Sequence, residues 1–412
     1  MRFLVILVGL LFALNSQAHE DHTKQQKVNM AISVAIDAAG NLWRAQVKEN
    51  IVLGDKVLGD KVLVDKSSDM GKTFSPPVQV NQTAQKIGND GEARPKIAVS
   101  DDGHIYLTWT EALKTPFAGY IWFSRSINGG KSFEKPFIVH QDKAETTHRF
   151  DALNVAKNGK ITITWVDKRD LIAAKAADKK YDGAAIYYAV SDDKGLSFKP
   201  EQKLADNSCE CCRIATTNKP DGTVVALWRH VFEGSERDHM IAEIPLNAAK
   251  SMPHRATFGH WKIDGCPHHG AAIASGGEGK RWFGYHMAFF DGNIANVRNG
   301  PGLYYSRIDG ESWTSSPAKK FGDNNNQAGH PAIISNNENV WLVWREIVDA
   351  KPSIVGMYSD DGGRSWSEAK RLASSEQKAD YPILVSNKTN VYLVWNTQQN
   401  GLQVIALKPT IY

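Results

Sequence analysis

The chain has 412 residues, of which 23% are charged, and its formal net charge at pH 7 is only +4. Basic and acidic residues are interspersed, and no basic stripe with interleaved aromatic residues is present, which argues against a nucleic-acid-binding protein. Four cysteines in a chain of this length exclude a disulfide-dense scaffold.

The first 18 residues have the composition of a secretory signal peptide. The positively charged Arg2 precedes an apolar run, Phe3–Leu14, and the sequence SQA then provides small residues for a signal peptidase. The run is too short to cross a bilayer and no longer apolar segment follows it, so we expect no membrane span. Cleavage after Ala18 would leave residues 19–412 as one exported domain, for which the periplasm is the expected compartment.

One pattern recurs along the rest of the chain, in five clear copies and two weaker ones. Each copy has an apolar run, a polar turn with Gly or Asn, and then alternating β-branched or aromatic residues, which predicts a β-hairpin. The copies are roughly 50 to 65 residues apart, which is the length of one propeller blade. They start at Ala31, Arg94, Phe150, Cys212, Gly270, His330 and Tyr381.

A second motif lies between these hairpins and fits the pattern S-x-D/N-x-G-x-x-F/W. In such a turn the Asp or Asn side chain bonds the turn backbone, the Gly takes a positive φ, and the aromatic side chain packs under the loop. The four clear copies and one shifted copy are Ser67–Phe74, Ser126–Phe133, Ser191–Phe198, Ser359–Trp366 and Ser306–Trp313.

These motifs resemble the Asp-box, or BNR, repeats of the sialidase-like β-propellers, and the resemblance covers nearly the whole mature chain. It implies an all-β fold of four-stranded antiparallel blades, in which the Asp box joins the third strand to the fourth, away from the active face. We predict seven blades, with six as the alternative. The last unit, Tyr381–Tyr412, has room for only three strands, and Lys24–Asn29 could supply the fourth and close the ring.

The predicted hairpins place many charged side chains on one face. The innermost strand of a blade starts at the face where the second strand ends, so these positions should form one rim around the axis. Such a rim is costly unless its groups pair with one another or with a bound ligand. It contains Arg94, Glu111, Arg149, Asp167, Cys212, Arg213, Arg229, His230, His268, His269, His286, His330, Arg345, Glu346, Tyr381 and Asn396.

The resemblance implies glycoside hydrolysis, on sialic acid or another acidic sugar, as one function of this rim. Sialidases bind the substrate carboxylate through three arginines and use a Tyr nucleophile, activated by a Glu, with an Asp as acid/base. Tyr381 is similar in position to that nucleophile, although no FRIP motif is present and no acid/base Asp can be assigned. The arginine cluster and the Glu would be Arg94, Arg213, Arg345 and either Glu346 or Glu111.

Metal binding is the competing function, and it rests on the cysteines. Three of the four lie in the sequence CECC at 209–212, and the fourth lies in CPHH at 266–269. Sulfur and imidazole ligands together suit copper, with zinc second, and neither motif has a standard zinc-finger spacing. The predicted ligands are Cys209, Cys211, Cys212, Cys266, His230, His268, His269 and His286, to which His19 and His22 of the mature N-terminus could add.

Disulfides are the alternative for the same cysteines. In an oxidising compartment Cys266 could bridge to one of the three upstream cysteines and join two blades. Seven of the 13 histidines lie between His230 and His286, which favours a metal site. We therefore expect an exported sialidase-like propeller with a copper site on its axial face, in metal handling or metal-dependent chemistry. An acidic-sugar hydrolase and a non-catalytic scaffold with an unknown protein partner are the alternatives.

Overall fold

A computed structural model describes residues 30–53, 56–89, 91–245, 251–277, 279–293, 300–387 and 389–409. The predicted signal peptide, the histidines near the mature N-terminus and the predicted strand Lys24–Asn29 all lie outside the described residues. Within the described part of the chain, no helix has the length and apolar character needed to span a membrane.

The described strands form seven sheets, and each sheet is made of strands that are consecutive in the chain and pair antiparallel. Blade 1 contains β1 (Ile32–Ile36), β2 (Leu42–Leu53), β3 (Lys56–Ser67) and β4 (Val78–Gln79). Blade 2 contains β5 (Lys96–Val99), β6 (Ile105–Ala112), β7 (Gly119–Ser126) and β8 (Phe137–Ile138). Blade 3 contains β9 (His148–Val155), β10 (Ile161–Asp167), β11 (Ala184–Ser191) and β12 (Gln202–Ser208).

The remaining blades continue this order along the chain. Blade 4 contains β13 (Ala215–Asn218), β14 (Val224–Arg229), β15 (His239–Glu243) and β16 (His254–Arg255). Blade 5 contains β17 (Ala272–Gly276), β18 (Gly284–Asp291), β19 (Gly302–Asp309) and β20 (Lys319–Phe321). Blade 6 contains β21 (Gly329–Asn336), β22 (Asn339–Val348), β23 (Lys351–Ser359) and β24 (Lys370–Ser374), and blade 7 contains β25 (Ile383–Ser386), β26 (Val391–Thr397) and β27 (Gly401–Leu407).

Helix is a minor component of the described chain. One α-helix, α1 (Arg169–Ala176), follows β10, and short 3-10 turns occupy Glu233–Ser235, Gly279–Arg281 and Asn324–Asn326. The all-β class and the count of seven blades are thus confirmed. The last blade has three strands among the described residues, as the length of its unit predicted.

The Asp-box motifs form the turns between the third and fourth strands, as the resemblance implied. In the blade 6 turn, the Ser359 hydroxyl donates to Asp361 (Oγ–Oδ1 2.8 Å) and accepts from the Gly363 amide (N–Oγ 2.8 Å). Gly363 has a φ of +80°, and a Cβ at that position would lie 1.8 Å from the Tyr305 hydroxyl. Only glycine therefore fits this turn, both in conformation and in space.

Tryptophan recurs at one place on the second strand of five blades and forms much of the buried core. These side chains are at most 1% exposed, as expected for residues that pack between neighbouring blades rather than bind sugar rings at the surface. They are Trp109, Trp165, Trp228, Trp344 and Trp395. The packed blades leave their strand ends free to carry polar side chains at the two faces.

Candidate functional site

A pocket of about 750 Å³ lies at the face where the first strands start and the second strands end. Residues from all seven blades line it, so it lies on the axis of the ring. Its size is in the range typical of ligand sites. The polar residues of its lining include Asn89, Glu92, Arg149, Lys168, Glu210, Cys211, Cys266, His268, His330, Arg345, Lys378, Asp380 and Tyr381.

His330 and Tyr381 form a stacked pair in this pocket. Their ring centroids are 3.5 Å apart and the ring planes differ by 11°. The register between β21 and β22 shifts between Gly329 and Ala332, which is a β-bulge at the strand start, and His330 has a φ of +51°. Bulges and positive φ values at non-glycine residues redirect side chains and concentrate at functional sites. The local backbone therefore aims His330 at Tyr381.

Glu92 determines which nitrogen of the His330 ring carries the proton. Its Oε1 accepts hydrogen bonds from His330 Nδ1 (3.0 Å) and from Arg213 Nη1 (3.2 Å). Burial alone would raise the pKa of Glu92, but Arg213 and His330 outweigh it and hold that pKa at about 2. The ionised carboxylate keeps the His330 proton on Nδ1, which leaves the Nε2 lone pair free to accept a proton.

Burial sets the protonation states of His330 and Tyr381 in opposite directions. It lowers the pKa of His330 below its usual 6.5, more than Glu92 raises it, so the ring is neutral at pH 7. Burial and the nearby Glu92 raise the pKa of Tyr381 above its usual 10.0, so the phenol keeps its proton. No described residue hydrogen-bonds to the Tyr381 hydroxyl. The pair therefore presents one proton acceptor and one proton donor to the pocket.

Cationic side chains line the same pocket as this pair. The Arg345 guanidinium interacts with Tyr381, and no carboxylate of the described residues lies within ion-pair distance of it. Lys168 forms an ion pair with Glu210, and the Arg149 guanidinium lies 5.1 Å from the centre of the Phe150 ring. The Arg345 guanidinium, which is partly buried and has no carboxylate partner among the described residues, suits a ligand that brings a carboxylate or sulfate of its own.

Of the three predicted substrate arginines, only Arg345 lines the pocket. Arg94 is 8% exposed, and its guanidinium bonds both oxygens of Asp380 (Nη1–Oδ2 and Nη2–Oδ1, each 2.6 Å). Arg213 donates to Glu92 and to the carbonyls of Ala271 (3.0 Å) and Pro331 (2.7 Å). The guanidinium groups of these two arginines are hydrogen-bonded to other protein groups and do not line the pocket. The structure therefore does not bring the three predicted arginines together.

Neither candidate for the Glu partner of Tyr381 lines the pocket. Glu346 Oε1 accepts from Trp344 Nε1 (2.7 Å) and from the Asp323 amide (2.9 Å), and Glu111 Oε2 accepts from Trp122 Nε1 (2.7 Å). Two other carboxylates, which the sequence did not predict, interact electrostatically with Tyr381: Glu92, which has the larger effect, and Asp380. Glu92 lies in an irregular loop before β5, outside both repeated motifs. A search for polar residues in the loops that precede each first strand would have included it.

Three of the four cysteines lie together in one cluster, and the fourth, Cys266, lies near only one of them, Cys211. Cys209 Sγ lies 3.6 Å from Cys211 Sγ and 3.5 Å from Cys212 Sγ, and all three side chains are buried. Cys211 also lies with the exposed Cys266 and with His268 in a second group, whose potential ligand atoms are within 4.8 Å of one another. All four thiols are free.

The other predicted metal ligands lie elsewhere, and no group of three potential ligands among the described residues contains them. His269 stacks on Phe290 with ring centroids 4.1 Å apart, and His230 packs on Phe232. His286 accepts from or donates to the Tyr305 hydroxyl (2.6 Å). The sequence placed His286 at the end of a hairpin, whereas β18 begins at Gly284, so His286 lies near the opposite face.

The fold and the pocket define a seven-bladed β-propeller with a cationic axial site. The sequence matches no protein-family model, and no curated protein matches it. Among solved structures it is similar to the Hadza microbial sialidase Hz136, with a TM-score of 0.50 and 14% identity over 86% of this chain and 74% of that one. It is also similar to a PL25 ulvan lyase bound to -[GlcA(1-4)Rha3S]-, with a TM-score of 0.52 and 11% identity over 89% of each chain. At these identities the likeness shows the fold, and it confirms the resemblance that the Asp boxes indicated.

Proposed function

We propose that the axial pocket binds an acidic polysaccharide and cleaves it by β-elimination beside a uronate residue. The observation that carries this proposal is the stack of neutral His330 on protonated Tyr381, next to Arg345. Elimination needs a base for the proton α to the carboxylate, an acid for the leaving oxygen and a cation for the carboxylate. These three side chains match the three requirements one to one.

The reaction would proceed with each group in a stated role. Arg345 binds the uronate carboxylate and stabilises the charge that develops on it when the neighbouring C5–H bond breaks. His330 Nε2 takes that proton while Glu92 stabilises the imidazolium that forms. The C4–O bond then breaks, Tyr381 gives its proton to the leaving oxygen, and a C4=C5 double bond remains in the product.

Hydrolysis is supported less well by the same pocket. A glycosidase needs a carboxylic acid with a raised pKa and a second carboxylate, or a Tyr that loses its proton to a Glu. The carboxylates of Glu92, Glu210 and Asp380 are each paired with a cation. The raised pKa of Tyr381 opposes a phenolate nucleophile. The similarity of fold to a lyase with a bound glucuronate-containing ligand also supports elimination.

An assay on the full chain tests the proposal directly. Incubation with polymeric uronates, sulfated and unsulfated, should give products with the ultraviolet absorbance of a double bond conjugated to a carboxylate. A chromogenic sialoside and aryl uronides, assayed in parallel, should give no release. Saturated reducing ends without this absorbance, or release from the sialoside, would show that the pocket hydrolyses its substrate and would overturn the elimination.

The protonation states predict a broad pH profile for kcat/KM. Activity needs neutral His330, whose pKa burial lowers, so the acid limb should lie below pH 6.5. Activity also needs protonated Tyr381, whose pKa burial raises, so the alkaline limb should lie above pH 10.0. Because kcat/KM reports the free enzyme, initial rates at low substrate concentration measure both limbs. A single limb that rises through pH 7 to 8 would contradict these roles.

A further inference from the structure

We propose that Cys209, Cys211 and Cys212 form a buried three-sulfur site for a single Cu(I) ion. The site lies in the turn between β12 and β13, beside the axial pocket, and the proposed elimination uses none of its thiols. The inference therefore goes beyond that function and is independent of it. It is narrower than the Cys/His cluster expected from the sequence, because three of the predicted histidines lie elsewhere.

The spacing of the sulfurs fits one ion. Cys209 Sγ is 3.6 and 3.5 Å from its two neighbours, and all three sulfurs lie within 4.8 Å of one another. With the third separation, Cys211 Sγ to Cys212 Sγ, between about 3.6 and 4.8 Å, an ion equidistant from the three sulfurs would be about 2.1 to 2.4 Å from each. This range includes the ~2.3 Å of a zinc–thiolate bond. The three side chains are 2%, 6% and 3% exposed, so water is excluded from such an ion.

A buried cation beside the thiols needs negative charge. Arg229 is 2% exposed, and it donates only to the carbonyls of Arg237 (2.7 Å), His269 (3.1 Å) and Phe290 (2.8 Å), while its Nε has no partner. No carboxylate of the described residues lies within ion-pair distance of this guanidinium. A buried charge without a partner is costly. The acidic groups that interact electrostatically with this guanidinium are the Asp291 carboxylate and the thiols of Cys209 and Cys212.

The number and type of ligands select the metal. Thiolates are soft ligands that favour Cu(I), and three of them suffice for it, whereas structural zinc takes four ligands. No fourth sulfur or imidazole of the described residues joins this cluster. Cys211 belongs also to the group with Cys266 and His268, which line the open pocket. This second group gives an ion a path from solvent to the buried site.

Competition with a chromogenic Cu(I) chelator tests the site on the reduced full chain without oxygen. We expect one equivalent of Cu(I) to move from the chelator to the protein, and X-ray absorption at the copper edge to show three sulfur neighbours. Cys209→Ala and, separately, Cys212→Ala should weaken Cu(I) binding by at least about 100-fold, since even indirect ligand losses cost 10- to 100-fold. Circular dichroism and thermal unfolding check that each variant folds.

Cys266→Ala is the matched control. This variant should bind one equivalent of Cu(I) with unchanged affinity but more slowly. The substitution removes a thiol on the proposed entry path and keeps the three thiols of the proposed site. Cu(I) binding that is unchanged in both Cys209→Ala and Cys212→Ala would overturn the proposal. So would tighter binding of Zn(II) than of Cu(I), or a disulfide among the three cysteines that re-forms in the presence of copper and excludes it.

Discussion

His330→Ala is expected to lower kcat for cleavage of a uronate polysaccharide by about 10²- to 10⁴-fold, which is the usual contribution of a positioned general base. KM should change little, because the carboxylate is bound by Arg345 and not by the imidazole. Tyr381→Phe should cause a loss of similar size, since it retains the ring that stacks on His330 and removes only the proton donor. Initial rates from the ultraviolet absorbance of the unsaturated product measure both effects.

Two further variants separate chemistry from folding. Glu92→Gln should lower kcat less than His330→Ala does, and it should shift the acid limb of the pH profile, because Glu92 acts through the imidazole. His104→Ala is the matched control, since His104 lies in the turn before β6, at the face opposite to the pocket. Wild-type rates in His330→Ala or Tyr381→Phe, with both folded, would contradict the assigned roles.

The fold was predictable from the sequence because every blade is built from the same pattern of strands and turns. An apolar first strand, a second strand that contains a buried Trp, and an Asp-box turn recur in register, so the number of blades could be counted. The same rule placed His330, Arg345 and Tyr381 on one rim, and the structure brings them into one pocket. The strand ends were predictable because the hairpin motif recurs along the sequence, and each copy shows where its two strands begin and end.

The partners of those side chains were not predictable in the same way. Arg94 meets Asp380 across 286 positions of sequence, and Glu92 meets His330 across 238. Such pairings depend on how loops of different blades approach the axis, and no repeat encodes them. The cysteines illustrate the same limit. The sequence CECC predicted that cysteines cluster, but the sequence alone did not show that His230 and His286 lie apart from Cys209, Cys211 and Cys212.

Asp380→Ala is expected to lower the free energy of unfolding by about 3 to 5 kcal/mol, because it leaves the buried guanidinium of Arg94 without its partner. Asp380 also accepts from the Ile32 amide (3.3 Å), so its carboxylate joins blades 1, 2 and 7 where the ring closes. Urea unfolding followed by tryptophan fluorescence measures the change. Glu376→Ala is the control: it breaks the exposed ion pair with Lys351 and should cost about 0 to 1 kcal/mol.

The double variant Arg94→Met with Asp380→Leu distinguishes a lost ion pair from an isolated buried charge. Replacing both partners by apolar side chains of similar size should recover most of the stability, because the desolvation cost of both charges also disappears. It should not recover cleavage, since Asp380 Oδ1 accepts from the Tyr381 amide (2.8 Å) and so fixes the start of the last inner strand. A double variant as unstable as Asp380→Ala would show that the carboxylate stabilises the ring through its backbone contacts rather than through Arg94. Ring closure and the placement of the proton donor therefore depend on the same carboxylate.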